Sequence, residues 1–365
     1  MKKLILWPII LVILLAAYLL FWPVPIKPVS WSPPEAPDMT GPYAVNQKLA
    51  TVERLGEGIG IGPEDVAMDR LGRVYVGYED GRILRFDTEI KQYDTFYATG
   101  GRPLGLAFAR DGRLLVADAI KGLLAVSEGG HAEVLATEAD GLPFKFTDDL
   151  DVGPDGTVYF SDASSRFSID GNGALADIME HGGNGRLLRY DPKTDKTDVL
   201  MAGLQFANGI AVGPDGKYVL VNETGAYRVT RYWLKGDKAG QHDVFIDNLP
   251  GLPDNINYHA RTKTFWLALY SPRSPDLDNM ADNPFLRKVA WRLPAAFHPR
   301  PPLSAFVLGL NTDGKVIHNL QHQGPDAYAP ITSVNRFGDW LYFGSLSQPA
   351  FARLPAPGSE QPVNP

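Results

Sequence analysis

One pattern recurs six times between Pro63 and Leu354 and restricts the fold more than any other feature of the chain. Clear copies read PEDVAMDRLGRVYVGYEDGRILRFD from Pro63, PLGLAFARDGRLLVADAIKGLLAVS from Pro103, TDDLDVGPDGTVYFSDAS from Thr147 and NGIAVGPDGKYVLVNETGAYRVTRY from Asn208. A weaker copy opens at Asp254 with ARTK in place of the Gly turn, and the last runs from Ile331 to Leu354. Each unit is a short alternating strand, a Gly-containing turn, a second strand, another turn and a third strand. Asp-Gly between alternating apolar runs is a hairpin signal. A single meander cannot bury both faces of its sheet, whereas stacked copies do. Six of them predict an all-β, six-bladed β-propeller. Helical periodicity is confined to Ala174–Glu180 and Pro284–Val289, inside two longer insertions.

In a propeller the first strand of every blade lines the central channel and begins at one mouth. The residues at that phase are Glu64-Asp65, Asp148-Asp149, Asn208 and Asp254-Asn255. Each alone is explained by a turn in which the side chain bonds its own backbone. Recurrence at equivalent places in different blades is not, because it brings the side chains together on the axis. Carboxylates gathered there without a cation lose hydration and repel one another. Calcium takes about six to eight oxygen ligands of the kind that Asp, Glu and Asn supply. Zinc wants His or Cys; no His falls at this phase, and the chain contains no Cys. The expectation is a Ca²⁺ ion on the propeller axis.

The N-terminus reads differently. Lys2 and Lys3 precede an apolar run from Leu4 to Trp22, long enough to span a bilayer. Basic residues at the start favour a cytoplasmic N-terminus and send the rest of the chain across. Ala16-Ala17 lead into bulky Tyr18, Leu19 and Leu20 rather than a small-x-small cleavage site. Residues 1–22 are therefore expected to be a signal-anchor transmembrane helix. Proline-dense residues 23–43 follow as an extended stalk, and 44–365 form the propeller. A net charge of −7 and no Lys/Arg cluster beyond the N-terminal pair argue against a nucleic-acid partner.

The stretches GRPLGLAFARDGRLLVADAIKGL, DDLDVGPDGTVYFSDASSRF, NGRLLRYD, FANGIAVGPDG and LPGLPDNI carry a resemblance to the strictosidine-synthase-like propeller family, including its adipocyte plasma membrane-associated branch. More distantly the chain is similar to the regucalcin/gluconolactonases and the paraoxonases. The resemblance spans about Val52 to Leu354 and implies metal ligands at Glu64, Asp148, Asn208 and Asp254. Likeness to paraoxonase adds Asn255, and makes Asp65 and Asp149 the counterparts of a second, structural calcium site. The family usually has Asn where this chain has Asp148.

Calcium at a channel mouth can polarise an ester or lactone carbonyl and stabilise the oxyanion that water creates. Hydrolysis then needs a base. Where the paraoxonase resemblance would put a histidine, the chain has Leu104. The gluconolactonase resemblance puts the base at Asp254, with Asp148 a second candidate because crowded carboxylates hold protons. Two readings stand open: a membrane-anchored, calcium-dependent hydrolase of lactones or aryl esters facing away from the cytoplasm, or a non-catalytic, calcium-stabilised propeller that binds a ligand or protein partner. The insertions Ser165–Gly185 and Ser271–Arg300, with Arg166, Phe167, Met179, Met280 and Phe285, are expected either as a lid selecting apolar substrates or as covers over blade edges. Asn222-Glu223-Thr224 fits a glycosylation acceptor but lies in a strand pattern. GEGIGIG from Gly56 lacks phosphate-loop spacing.

Overall fold

The turns that separate the first two strands of each repeat need a residue with positive φ, and glycine supplies it: Gly72, Gly112 and Gly156 stand at φ +80, +88 and +91. In the fifth repeat Lys263 takes the same conformation at φ +52, which is why that copy is hard to see in sequence. The computed structural model describes residues 2–87, 92–294 and 302–359, the side chains of 2–6 excepted. Within them lie six four-stranded antiparallel sheets arranged as a six-bladed β-propeller. Blade 1 runs outward through Val66–Met68, Val74–Gly77, Arg82–Asp87 and Gln92–Ala98. The inner strands of blades 2 to 6 are Pro103–Phe108, Thr147–Val152, Ala207–Val212, Gly251–His259 and Val334–Phe337. Each inner strand touches the next around the ring, so the channel wall is continuous.

Ring closure uses both ends of the propeller. Blade 6 takes three strands from the C-terminal region, and its outermost strand is Glu53–Leu55, paired antiparallel with Phe351–Pro355. Arg353 Nε lies 2.7 Å from Glu53 Oε2 across that pair. Apolar side chains fill the wedges between blades. Between blades 6 and 1, Tyr342 and Phe351 pack against Val66, Val76 and Phe86, with the Phe86 and Phe351 rings 4.9 Å apart.

Among the described residues four α-helices lie outside the sheets. Helix α1 spans Lys2–Phe21, and its described side chains are mostly exposed from Trp7 to Phe21. Among the described residues no helix is long and apolar enough to cross a membrane. Helix α2 (Gly173–Glu180) rises between the second and third strands of blade 3; α3 (Pro275–Asn279) and α4 (Pro284–Trp291) rise at the same point in blade 5. Both insertions thus lie on the face where the inner strands begin.

The segment expected as an extended stalk is a strap bound across that face. Ile26 is buried against Ala176 and Met179 of α2. The Val29 and Trp31 amides donate to the carbonyls of Glu180 and Ala281. Arg287, 1% exposed, donates to the carbonyls of Val29, Met179 and Ala281, tying strap to α2 and α4. Proline keeps the strap extended, while the Lys27, Val29 and Trp31 amides and the Pro25, Val29, Pro34 and Glu35 carbonyls find partners on the propeller.

Phe351→Ala is expected to destabilise the protein by about 3–5 kcal/mol, because it opens the wedge that closes the ring. Urea denaturation of the full chain measures this. A loss below about 1 kcal/mol would mean that other contacts close the ring.

Candidate metal centre at the channel mouth

The axial side chains are aimed by a shared backbone irregularity. In blades 2 to 5 two inner-strand residues oppose a single partner residue. The pairing passes from Pro103↔Asp118 to Leu106↔Val116, from Thr147↔Asp162 to Leu150↔Phe160, from Ala207↔Glu223 to Ile210↔Val221, and from Pro253↔Leu269 to Ile256↔Leu267. Such a two-against-one β-bulge turns consecutive side chains away from simple alternation. The bulged pairs are Leu104-Gly105, Asp148-Asp149, Asn208-Gly209 and Asp254-Asn255. In blades 1 and 6 the matching residues, Glu64 and Thr332, pair just before the strand with the carbonyls of Gly77 and Gly344. The ring at the mouth is therefore Glu64, Leu104, Asp148, Asn208, Asp254 and Thr332.

Close approach of the inner strands demands glycine beside the ligands. A Cβ on Gly209 would stand 2.5 Å from the Asp254 carbonyl, and one on Gly344 1.8 Å from the Glu64 carbonyl. Asn222 donates its amide to the Asp254 carbonyl, Thr224 Oγ1 to the Pro253 carbonyl at 2.6 Å, and Thr332 Oγ1 to the Glu64 carbonyl at 2.8 Å. Asn222 is fully buried, so the Asn-Glu-Thr triplet braces the site in the fold and offers no exposed acceptor for a glycan.

All five expected ligands come together and all are buried, none more than 5% exposed. Asn255 Nδ2 donates to Glu64 Oε1 at 2.8 Å, and the Asn208 amide bonds Asp254. Glu64 Oε2, Asn208 Oδ1 and Asn255 Oδ1 have no partner. Burial, then the charges of Asp254 and neighbouring aspartates, raise Glu64 well above the usual carboxylate range. Asp148 is raised by burial and by Asp254 and Asp162, against the pull of Arg102. Burial pushes Asp254 up to about 8, with the Asn208 bond opposing. Among the described residues no three His, Cys, Asp or Glu groups have the spacing of a formed metal site; the converging set mixes carboxylates with amides. Three unpartnered buried oxygens beside protonation-prone carboxylates are the donor set a hard cation satisfies, so the residues fit calcium.

Asp65 and Asp149 act differently. Asp65 accepts from Leu106 N (3.0 Å) and Asn335 Nδ2 (2.8 Å), Asp149 from Leu150 N (2.8 Å) and Ile210 N (2.7 Å). Their oxygens clip neighbouring inner strands together. Gly105 makes room, since a Cβ there would meet Asp149 Oδ1 at 2.6 Å.

Sequence reasoning missed the latches around the ring. Asp118, Asp162 and Glu223, at the ends of second strands, accept backbone amides just ahead of the bulges: Arg102 N, Phe146 N and Gln205 N. Asp162 is further held by a buried ion pair with Arg186 at 2.7 Å. The repeated acidic residue two positions after LLV, VYF or VLV was the available signal. Arg102, 5% exposed, is the cation whose charge acts on both Glu64 and Asp148. The expected lid residues are also corrected. Arg166 and Met179 join the strap and Phe285 faces outward at 54% exposure. What lies over the mouth is Ile169, Ala174 and Ile178, packed on Leu104, Phe146 and Phe206.

Buried hard-oxygen donors at one mouth define the class: a six-bladed β-propeller with an axial polar site. Residues 148–237 match the strictosidine synthase family and residues 41–86 the strictosidine synthase-like N-terminal region. The chain is 37% identical over 328 residues to strictosidine synthase-like protein 4 of Arabidopsis thaliana, covering 87% of this chain and 86% of that one. It is 35% identical over 356 residues to the adipocyte plasma membrane-associated protein of Danio rerio, covering 90% and 84%. The chain belongs to the strictosidine synthase-like family. Its fold is that of a Xanthomonas campestris gluconolactonase (TM-score 0.61, 18% identity, covering 92% and 98%). An Agrobacterium tumefaciens regucalcin, described as a calcium-binding protein, shares it too (TM-score 0.58, 16% identity, covering 82% and 92%).

A pH dependence follows from the raised carboxylates. Asp254 sits near 8 when folded without a cation and about 4 when unfolded, so the metal-free fold holds extra protons between those values. Its contribution is present below pH 4 and is lost as pH rises toward 8. In chelator, the melting temperature is expected to fall from pH 5 to pH 8, and saturating calcium should remove that decline. A flat or rising chelator profile would contradict the assignment.

Proposed function

We propose that the protein is a calcium-dependent hydrolase of lactones or aryl esters. The observation that carries this reading is the trio of unpartnered, buried oxygens of Glu64, Asn208 and Asn255 beside the Asp148 and Asp254 carboxylates. Those five side chains would hold the ion. When bound, calcium supplies Lewis-acid polarisation of the acyl carbonyl. Asp254 is the base: its carboxylate takes a proton from water as the water oxygen bonds the acyl carbon. The acyl C–O bond then breaks, and the leaving oxygen receives the proton. Asp148 is the alternative base. Arg102, whose charge reaches Glu64 and Asp148, offsets part of their negative charge. Ile169 and Ile178, with Phe146 and Phe206, exclude water from the mouth and suit an apolar acyl or alkyl group.

The apolar helix α1 is proposed as a single-pass anchor with the propeller on the non-cytoplasmic side, on the strength of Lys2-Lys3 ahead of Leu4–Trp22.

A second reading has its own support. Leu104 occupies one place in the ring and is buried with Phe146 beneath the α2 side chains. A propeller whose calcium only braces the blades, and whose mouth binds a ligand or partner without turnover, would have such a closed apolar cap.

The full chain in detergent, assayed on γ- and δ-lactones and phenyl acetate, should lose hydrolysis with chelator and regain it with calcium. Asp254→Asn should lower turnover at least 100-fold while calcium still raises the melting temperature. Tight calcium binding without turnover across that panel would favour the binding reading, and full activity in Asp254→Asn would remove this residue as base.

A further inference from the structure

Large apolar side chains left exposed outside the blade strands are unevenly distributed over the propeller. In each blade the starts of the first and third strands and the ends of the second and fourth lie on the mouth face. Ile61 precedes the first inner strand. Ile120 sits in the turn between the second and third strands of blade 2, and Leu142 leads into blade 3. Leu175 lies on α2, Phe285 and Leu286 on α4. These six are 39–54% exposed. On the opposite face Leu71 is comparable, in the turn between the first two strands of blade 1; Val29 lies on the strap, Val45 ahead of Glu53–Leu55, and Leu303 at the mouth-side start of the third strand of blade 5. Tyr93, Val134, Val244 and Ile317 lie on outermost strands, at the sides.

The mouth face is also where α1 is fastened. Arg292, at the end of α4, donates to the carbonyls of Trp22 (2.6 Å) and Leu19 (2.8 Å). Its guanidinium caps the C-terminal turn of α1, where carbonyls lack helical partners. The helix that carries Phe285 and Leu286 therefore also grips the end of the apolar helix. From Trp22 the chain turns at once into the strap, whose Ile26 docks on α2. No slack separates α1 from the mouth.

We propose that the mouth face lies on the bilayer into which α1 inserts, with Ile120, Leu142, Leu175 and Phe285 in the interfacial layer. The inference rests on α1 being the anchor and goes beyond it: a tether alone leaves the orientation of the propeller free, while the Arg292 clamp and the apolar rim fix it. Large apolar side chains exposed on the same face that holds an apolar helix fit a surface that is covered in use. The axial site then opens toward lipid, and its substrates are hydrophobic molecules that partition into a membrane.

The chain has no cysteine, so single cysteines report one place each. The full chain is reconstituted in phosphatidylcholine/phosphatidylglycerol vesicles with a nitroxide at Ile120→Cys, Leu142→Cys, Leu175→Cys, Phe285→Cys, Leu71→Cys, Ile317→Cys or Leu14→Cys. Collision with oxygen reports lipid, and collision with a water-soluble nickel chelate reports solvent. The four rim labels and Leu14→Cys are expected to favour oxygen, Leu71→Cys and Ile317→Cys nickel. A lipid-exposed Leu14→Cys with water-exposed rim labels would overturn the docked orientation and leave the anchor standing. Water exposure at Leu14→Cys as well would overturn both. Rim labels shielded equally in detergent, with a doubled particle mass, would assign the face to a second copy of the chain and overturn the membrane assignment. Arg292→Ala is expected to raise nickel access at the rim labels several-fold without changing Leu14→Cys.

Discussion

Everything at the centre of this molecule turns on placing acidic side chains where water cannot reach them. Glu64, Asp148 and Asp254 sit within one another's field on the propeller axis, and burial is the largest cause of their raised affinity for protons. A fold that buries like charges must neutralise them by protons, by hydrogen bonds or by a cation. The neighbouring Asp65 and Asp149 show the hydrogen-bonded solution, each accepting amides from an adjacent inner strand. The mouth ring keeps oxygens in reserve, and that difference separates a structural clip from a candidate binding site.

The geometry depends on backbone before side chain. A regular inner strand would send Asp148 and Asp149 to opposite faces of blade 3. The bulge between Thr147 and Leu150 puts both into the channel region. The same irregularity in blades 2, 4 and 5 keeps the ring in phase. Gly105, Gly209 and Gly344 let neighbouring strands approach where any Cβ would collide. Acidic latches at Asp118, Asp162 and Glu223 hold the approach to each bulge. Precision at the site is thus spread over the blades.

Closure joins distant parts of the chain twice. Glu53–Leu55 completes the last blade, and the proline-rich strap returns across the mouth to α2 and α4. Arg287 is the shared bolt: buried at 1% exposure, it donates to backbone carbonyls of the strap, α2 and the α3–α4 turn. An always-charged group is kept in the interior by carbonyl acceptors. The strap, helix α1 and the axial site therefore form one mechanical unit on one face.

The sequence by itself determined the blade count, the Gly turns and the seven polar residues at the axial phase, because period and residue chemistry are local properties that survive without coordinates; the family resemblance narrowed those seven to five. Helices at Ala174–Glu180 and near Pro284 were legible for the same reason. Only the tertiary structure decided how Asp148 differs from Asp149, since a bulge is a relation between two strands and leaves no mark in either alone. It also decided that Glu53–Leu55 belongs to the last blade and that the proline stretch is bound rather than free. The roof over the mouth likewise consists of Ile169, Ala174 and Ile178 instead of Met179 and Phe285. Those are long-range contacts, and composition shows only that a segment is extended or apolar, never what lies against it.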